Sequence, residues 1–211
     1  MSARVREAIA TFDGDVHAAR QEIGALVGRV ADEAVVPVLL GRLFQIDQHL
    51  RRFSDQPHEQ GFDAGEGRLF EQLLQERWRD VDGFCTSALK QILAAHGWPT
   101  IARFGRAPDN HAWIVAQHAD HDRVFQREVL ALLGPLTAQG QTDPAHYAYL
   151  FDRVAVGEGR PQRYGTQGRC LEPGRWAPRE IEDPDGVDAR RTAVGLGPLA
   201  EYIDTMKGFC R

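Results

Sequence analysis

Apolar residues recur every three or four positions along most of the chain, and glycine, proline and polar clusters cut that pattern into helix-sized pieces. Between residues 3 and 30, Val5, Ile9, Phe12, Val16, Ile23, Val27 and Val30 keep helical spacing and predict one or two amphipathic helices, with an interruption near Gly14. Residues 33–53 predict another, through Val36, Leu39, Leu40, Leu43, Phe44 and Leu50, with Pro37 in its first turn. The polar, glycine-rich residues 54–67 read as a surface loop. A third helical run spans residues 69–95 with a break offered at Asp82-Gly83, and His96-Gly97-Trp98-Pro99 stops it. Gly97 fits a left-handed cap there, and Pro99 cannot continue the helix.

Pro108-Asp109-Asn110 opens the next helix, with Asp109 or Asn110 as its cap. From there to Pro135 two readings stay open. In one, a single helix carries Ile114, His118, His121, Phe125, Val129 and Leu132 on one side. In the other, Asp120 or Asp122 caps a fresh helix that Gly134-Pro135 ends, so His118 closes one helix beside the start of another. Asp143-Pro144 starts a further helix that reaches Val154 or slips into a strand at Val154–Val156. Residues 157–188 are rich in Gly, Pro and Arg without a period, and Tyr164, Trp176 and Ile181 argue that this loop is packed down. Short helices close the chain after Asp188. The expected fold is mainly α: a helical arm at residues 1–32, then a single helical domain at 33–211 carrying a long ordered loop with room for a short β-hairpin.

Composition narrows the class. With 211 residues, 43% of them hydrophobic, the chain supports one substantial core. A net charge of −5 argues against a surface built for nucleic acid or anionic lipid, and no uncharged apolar run reaches membrane-span length. The N-terminal residues carry charges where a signal peptide needs an apolar core, so a cytoplasmic protein is expected. Cys85, Cys170 and Cys210 are far apart and lack a C-x-x-C pair, which predicts free thiols.

The candidate chemistry concentrates in HGWPT at 96–100, WIVAQHADHD at 113–122 and DRVAVGEGRPQRYGTQ at 152–167. Imidazole titrates near neutral pH, so His118 is the candidate acid or base, oriented by Asp120 or Gln117. A hydrogen-bonded core histidine is the bland reading of the same residue. The histidines offer metal-ligand atoms without a diagnostic spacing, so neither a metal nor another cofactor is expected. No G-x-S-x-G elbow exists, and YGTQ reads as a tight glycine turn. Residues 153–179 hold six arginines against Glu158 and Glu172, a local +4 suited to carboxylate or phosphate. Pairing with the acidic run 180–188 is the alternative use of those arginines.

HGWPT, QHAD followed by FQ, AYLFDRV, G-x-P-Q-x-YGTQ, IEDP-x-x-VD-x-RR and VGL-x-PL-x-EY together resemble a bacterial family whose domain has no settled activity. The resemblance covers residues 41–204, with Asp47-Gln48 and Arg51 similar to its opening element. The shared positions it implies include Asp47, Gln48, His96, Trp98, Gln117, His118, Asp120, Gln126, Asp152, Arg153, Gln162, Tyr164, Gly165, Thr166, Gln167, Asp183, Asp188, Arg190 and Arg191. Arg123, where the family shows proline, and a longer segment at 168–179 are departures.

These readings combine into one expectation. An enzyme acts on a small polar, anionic or amide-bearing or peptide-like substrate, with His118, Asp120 and His96 catalytic. Trp98, Gln117, Gln126, Asp152, Arg153, Gln162, Tyr164 and Gln167 contact the substrate in a pocket built from the HGWP, QHAD and YGTQ segments. The arm offers a route to a homo-oligomer, and neither nucleic acid nor membrane is expected as a partner. The alternative from another class is a non-catalytic module that binds an acidic protein or peptide.

Overall fold

The structure is a computed structural model, and it describes residues 2–54, 57 and 61–210. It is mainly helical. Helix α1 spans Ala3–Val27, and after a 3-10 turn at Glu33–Val35 helix α2 covers Val36–Phe53. Helix α3 is Ala64–His96, followed by the single turn α4 at Ile101–Phe104 and then α5 at Arg106–Gln117. Helices α6 (Arg123–Ala138) and α7 (Pro144–Gly157) precede the strands β1 (Gly168–Glu172) and β2 (Arg175–Pro178). The short helices α8 (Val187–Ala193) and α9 (Leu199–Lys207) complete the order. Five of the residues expected to form a loop at 54–67 lie outside the described ones.

Residues pack into two compact units, one from the N-terminus to Pro99 together with Arg103–His121, the other from Thr100–Ala102 and Asp122 onward. In the first unit α1, α2 and α3 pack on one another, and α2 also lies against α5. Val5, Phe12 and Ile23 of α1 are fully buried there with Leu39, Leu40, Leu43 and Leu50 of α2 and Leu89 and Ile92 of α3. Each such side chain contributes about 1.5–3 kcal/mol of transfer free energy. The apolar face of the expected arm is thus covered within its own chain. The helix runs through Gly14, and α3 likewise runs through Asp82-Gly83, because burial along each helix outweighs the weak propensity of one glycine.

Caps explain the helix starts. Asp63 accepts from Gly65 N and Glu66 N while Glu66 reaches back to Asp63 N, a complete capping box for α3. Gly97 ends α3 at φ +72°, the left-handed cap expected. Neither Asp109 nor Asn110 caps α5, which starts after Gly105, one turn earlier than expected. Asp122 caps α6 by accepting from Phe125 N, so of the two readings the broken helix is the one found. Gly134-Pro135 does not end α6, which continues to Ala138 with Pro135 inside its last turn.

In the second unit α6 packs on α7, which is helical through Val154–Val156, and β1 pairs antiparallel with β2 within the long loop. Trp176 is buried against Tyr202 of α9, with ring centroids 5.7 Å apart. A Cβ at Gly168 would run into the Trp176 indole, so this strand position needs glycine. Cys170 and Cys210 are disulfide-bonded, which corrects the expectation of three free thiols; Cys85 alone is free, and it is buried. Their separation of 40 residues conceals that the hairpin returns to the end of the chain, where Gly174 N also donates to the Cys210 carbonyl.

Candidate functional site

Each unit carries one cluster built around a buried aspartate, and the two clusters are wired differently. In the first unit α2 is amphipathic, and Asp47 sits one turn after Leu43 and three residues before Leu50, inside its buried stripe. A carboxylate at 1% exposure must find partners. It finds three: His118 Nδ1 lies 2.7 Å from Oδ1, Arg51 Nη2 donates to the same oxygen at 3.0 Å, and Gln48 Nε2 donates to Oδ2 at 2.9 Å. Arg51 Nη2 also donates to Asp82 Oδ1 at 2.9 Å, bringing α3 into the cluster, and its guanidinium lies 5.1 Å from the Trp78 ring centroid.

Burial pushes the Asp47 carboxyl up, but the hydrogen bond and charge of His118, with Arg51 and Gln48, outweigh it and hold the group below its ordinary range. Asp82 moves the other way: burial raises it and Arg51 and His118 offset this only in part. Asp47 is therefore a carboxylate and can only accept, which places the proton of a neutral His118 on Nδ1. His118 is the C-cap of α5, its side chain is 21% exposed, and no partner among the described residues occupies Nε2. That nitrogen is left with its lone pair available. Buried Cys85, next to Asp47 and Asp82, has its thiol pushed far up, chiefly by burial, and stays protonated.

The other expected residues of this unit are placed by structural bonds. His96 Nε2 meets the Val30 carbonyl at 2.6 Å. Trp98 is buried and its Nε1 donates to Asp109 Oδ1 at 2.7 Å, the use that Asp109 has in place of a cap. Gln117 is buried, whereas Asp120 lies exposed in the turn after His118. The residue that holds the His118 ring is Asp47, which sequence reasoning named as a shared position without giving it this role. Asp82 and Trp78 were missed altogether. A usable signal existed for Asp47: a carboxylate falling on the apolar stripe of a helix.

In the second unit Asp152 of α7 is fully buried. Its Oδ1 accepts from Arg163 N at 2.7 Å and Tyr164 N at 3.0 Å, and its Oδ2 accepts from Thr166 N and Thr166 Oγ1, both at 2.9 Å. Burial raises the Asp152 carboxyl despite these bonds. Gln162, also fully buried, donates to the carbonyls of Gln167 and Arg179 and accepts from Gln167 N. Gly165 turns the YGTQ segment at φ +70°, where Leu199 and Ile181 leave no room for a side chain. Arg191, 2% exposed, donates to the Tyr164 carbonyl, and Tyr202 Oη donates to the Thr166 carbonyl. Gln167 Nε2 donates to Thr166 Oγ1. Asp152, Gln162, Tyr164 and Gln167 come together here, while Gln126 is buried on α6 and Arg153 half-buried on α7. Of the arginines, Arg163 pairs with Glu182 at 2.6 Å and Arg160 with Glu158 at 2.6 Å.

Among the described residues no three His, Cys, Asp or Glu side chains gather as metal ligands, and no helix is long and apolar enough to cross a membrane. Residues 37–209 match the model of a family of unknown function, DUF6624, and the chain belongs to that family. Neither a curated protein nor a solved structure matches the chain.

Proposed function

We propose that this member of a family of unknown function is an enzyme whose proton-transfer group is His118, with Asp47 as its positioning partner. The observation that carries the reading is the 2.7 Å contact of His118 Nδ1 with an almost fully buried carboxylate, on a ring that stays partly exposed and whose Nε2 has no partner among the described residues. An aspartate in this position fixes the tautomer and steadies the imidazolium that forms when Nε2 takes a proton. Asp47, Asp82 and Arg51 together carry −1 while His118 is neutral, so a further anion is repelled. Of the expected substrate classes, the amide-bearing small molecule is therefore the one proposed.

Nitrogen-15 spectra of the imidazoles test the arrangement. Neutral His118 should show a protonated Nδ1 and a bare Nε2, and Asp47→Asn should shift that balance. An Nε2–H tautomer in the wild type would sink the reading. In a turnover screen over small amides and esters, activity should disappear in His118→Gln.

A second reading, a module for an acidic partner, draws on Arg169 and Arg179 of the hairpin segment, whose guanidiniums have no carboxylate partner among the described residues. Binding of acidic peptides that is lost in the double alanine variant would favour it. A cytoplasmic setting is proposed with one condition: thiol pools there keep Cys170 and Cys210 reduced. Alkylation in quenched cells should then label both thiols, and an intact bond would place the protein in an oxidising compartment.

A further inference from the structure

We propose that Cys170 is a site of reversible S-thiolation, at which a low-molecular-weight thiol of the glutathione class enters by opening the bond to Cys210. The inference stands apart from the His118 reading. It rests on an asymmetry among the three cysteines. Cys170 is exposed on β1, Cys210 is 5% exposed just past the end of α9, and Cys85 is buried inside α3. Exchange proceeds by attack of a thiolate on one sulfur of a disulfide, and access decides which sulfur is taken. Only Cys170 offers that access.

The surface around the bond is open as well. Leu171 and Phe209, the chain neighbours of the two bonded cysteines, are 43% and 69% exposed. The ladder between β1 and β2 shifts register between Cys170 and Glu172, a bulge beside the exposed cysteine.

The surrounding contacts suit a bond that opens and closes. Trp176 against Tyr202, the Tyr202 hydroxyl on the Thr166 carbonyl and the Arg191 guanidinium 5.1 Å from the Tyr202 ring centroid tie α9 to the hairpin and the YGTQ turn without the sulfurs. Gly174 N donates to the Cys210 carbonyl at 2.7 Å and keeps the chain end beside the hairpin. The Met206 carbonyl lies 3.8 Å from Cys210 Sγ, an acceptor for the S–H that appears once the bond is broken.

The step balances without a further reagent. The incoming thiolate forms a bond to Cys170 Sγ, the Cys170–Cys210 bond breaks, and its electron pair stays on Cys210 Sγ, which takes a proton from water. The thiol is oxidised into the mixed disulfide and Cys210 is reduced. Return attack by Cys210 expels the small thiol and restores the bond. Tethering of the chain end thus follows the thiol and disulfide balance around the protein.

A pulse of reduced glutathione on the oxidised whole protein, acid-quenched and peptide-mapped, tests the assignment. Glutathione should be found on Cys170 with a free thiol at Cys210, and Cys85 should carry none. Single-cysteine replacements remove the internal competitor, so an adduct that closes too fast to trap in wild type is still seen. Folded Cys210→Ser should take up glutathione from oxidised glutathione about tenfold faster than folded Cys170→Ser, a difference of access that vanishes in denaturant. Glutathione on Cys210 in the wild-type pulse, equal rates in the two folded variants, or no uptake by Cys210→Ser would overturn the proposal. The wild-type map decides alone if a variant does not fold.

Discussion

Asp47 and Asp152 are both buried aspartates inside helices, and they serve opposite ends. Asp152 spends its oxygens on three backbone N–H groups and one hydroxyl, all within residues 163–166. Those donors cannot change charge, so the cluster is a clamp that shapes the YGTQ turn. Asp47 spends its oxygens on side chains, one of which is a partly exposed imidazole with a nitrogen left over. A buried carboxylate aimed at backbone fixes a loop, whereas one aimed at an open imidazole is the arrangement on which the proposed proton transfer rests.

The largest expected effect breaks the clamp. Asp152→Ala leaves the N–H groups of Arg163, Tyr164 and Thr166 without their acceptor and should cost several kcal/mol in chemical denaturation, about 1–3 kcal/mol for each buried donor left unsatisfied. A loss below about 1 kcal/mol, the worth of one ordinary hydrogen bond, would show that the loop does not depend on it. Next comes the bond between Cys170 and Cys210, which closes a 40-residue separation within the same unit. Its reduction should lower stability by about 2–4 kcal/mol, with hydrogen exchange rising at the hairpin and α9. Unchanged exchange there would show that Trp176 and Tyr202 hold the hairpin unaided.

The Asp47 side of the comparison predicts a pH signature. Its folded-state pKa lies below the ordinary value, so its contribution is fully present above the ordinary carboxylate range and is lost as pH falls through the depressed value. Asp47→Asn should cost about 1.5–3 kcal/mol at neutral pH, the worth of hydrogen bonds to a charged group, and flatten the acid limb of the stability curve. Asp82 has the opposite sign: its raised pKa makes stability from that source decline as pH rises through the raised value, so Asp82→Asn should cost less than Asp47→Asn at pH 7. Equal losses would show that the two carboxylates are not differently tuned. The smallest effect belongs to His118→Gln, which leaves Asp47 its bonds to Arg51 and Gln48 and should shift stability by less than about 1 kcal/mol, while abolishing turnover. A larger loss of stability with turnover intact would make His118 another clamp residue.

The helical character, the Gly97 cap, the Asp143 helix start and the tight Gly165 turn were legible along the chain, because periodicity, caps and left-handed glycines are properties of neighbouring residues, while the Asp122 start was one of several readings the sequence left open. His118 could be singled out the same way, as a histidine where a helix pattern breaks. Its partner could not. Asp120 stood two residues away and Asp47 seventy-one, and only the packing of α2 against α5 makes the distant carboxylate the near one. The same holds for Cys170 with Cys210 and for Trp98 with Asp109, whose pairings depend on how elements fold back on each other. Local sequence specified which segments become helices and the stop at Gly97, since those choices depend on a few residues at a time, but the helices that run on through Gly14, Asp82-Gly83 and Gly134-Pro135 did not follow the local signals. Which buried polar group meets which was decided only by tertiary packing, because burial makes an unpaired charge costly and the partner that relieves it can come from anywhere in the chain.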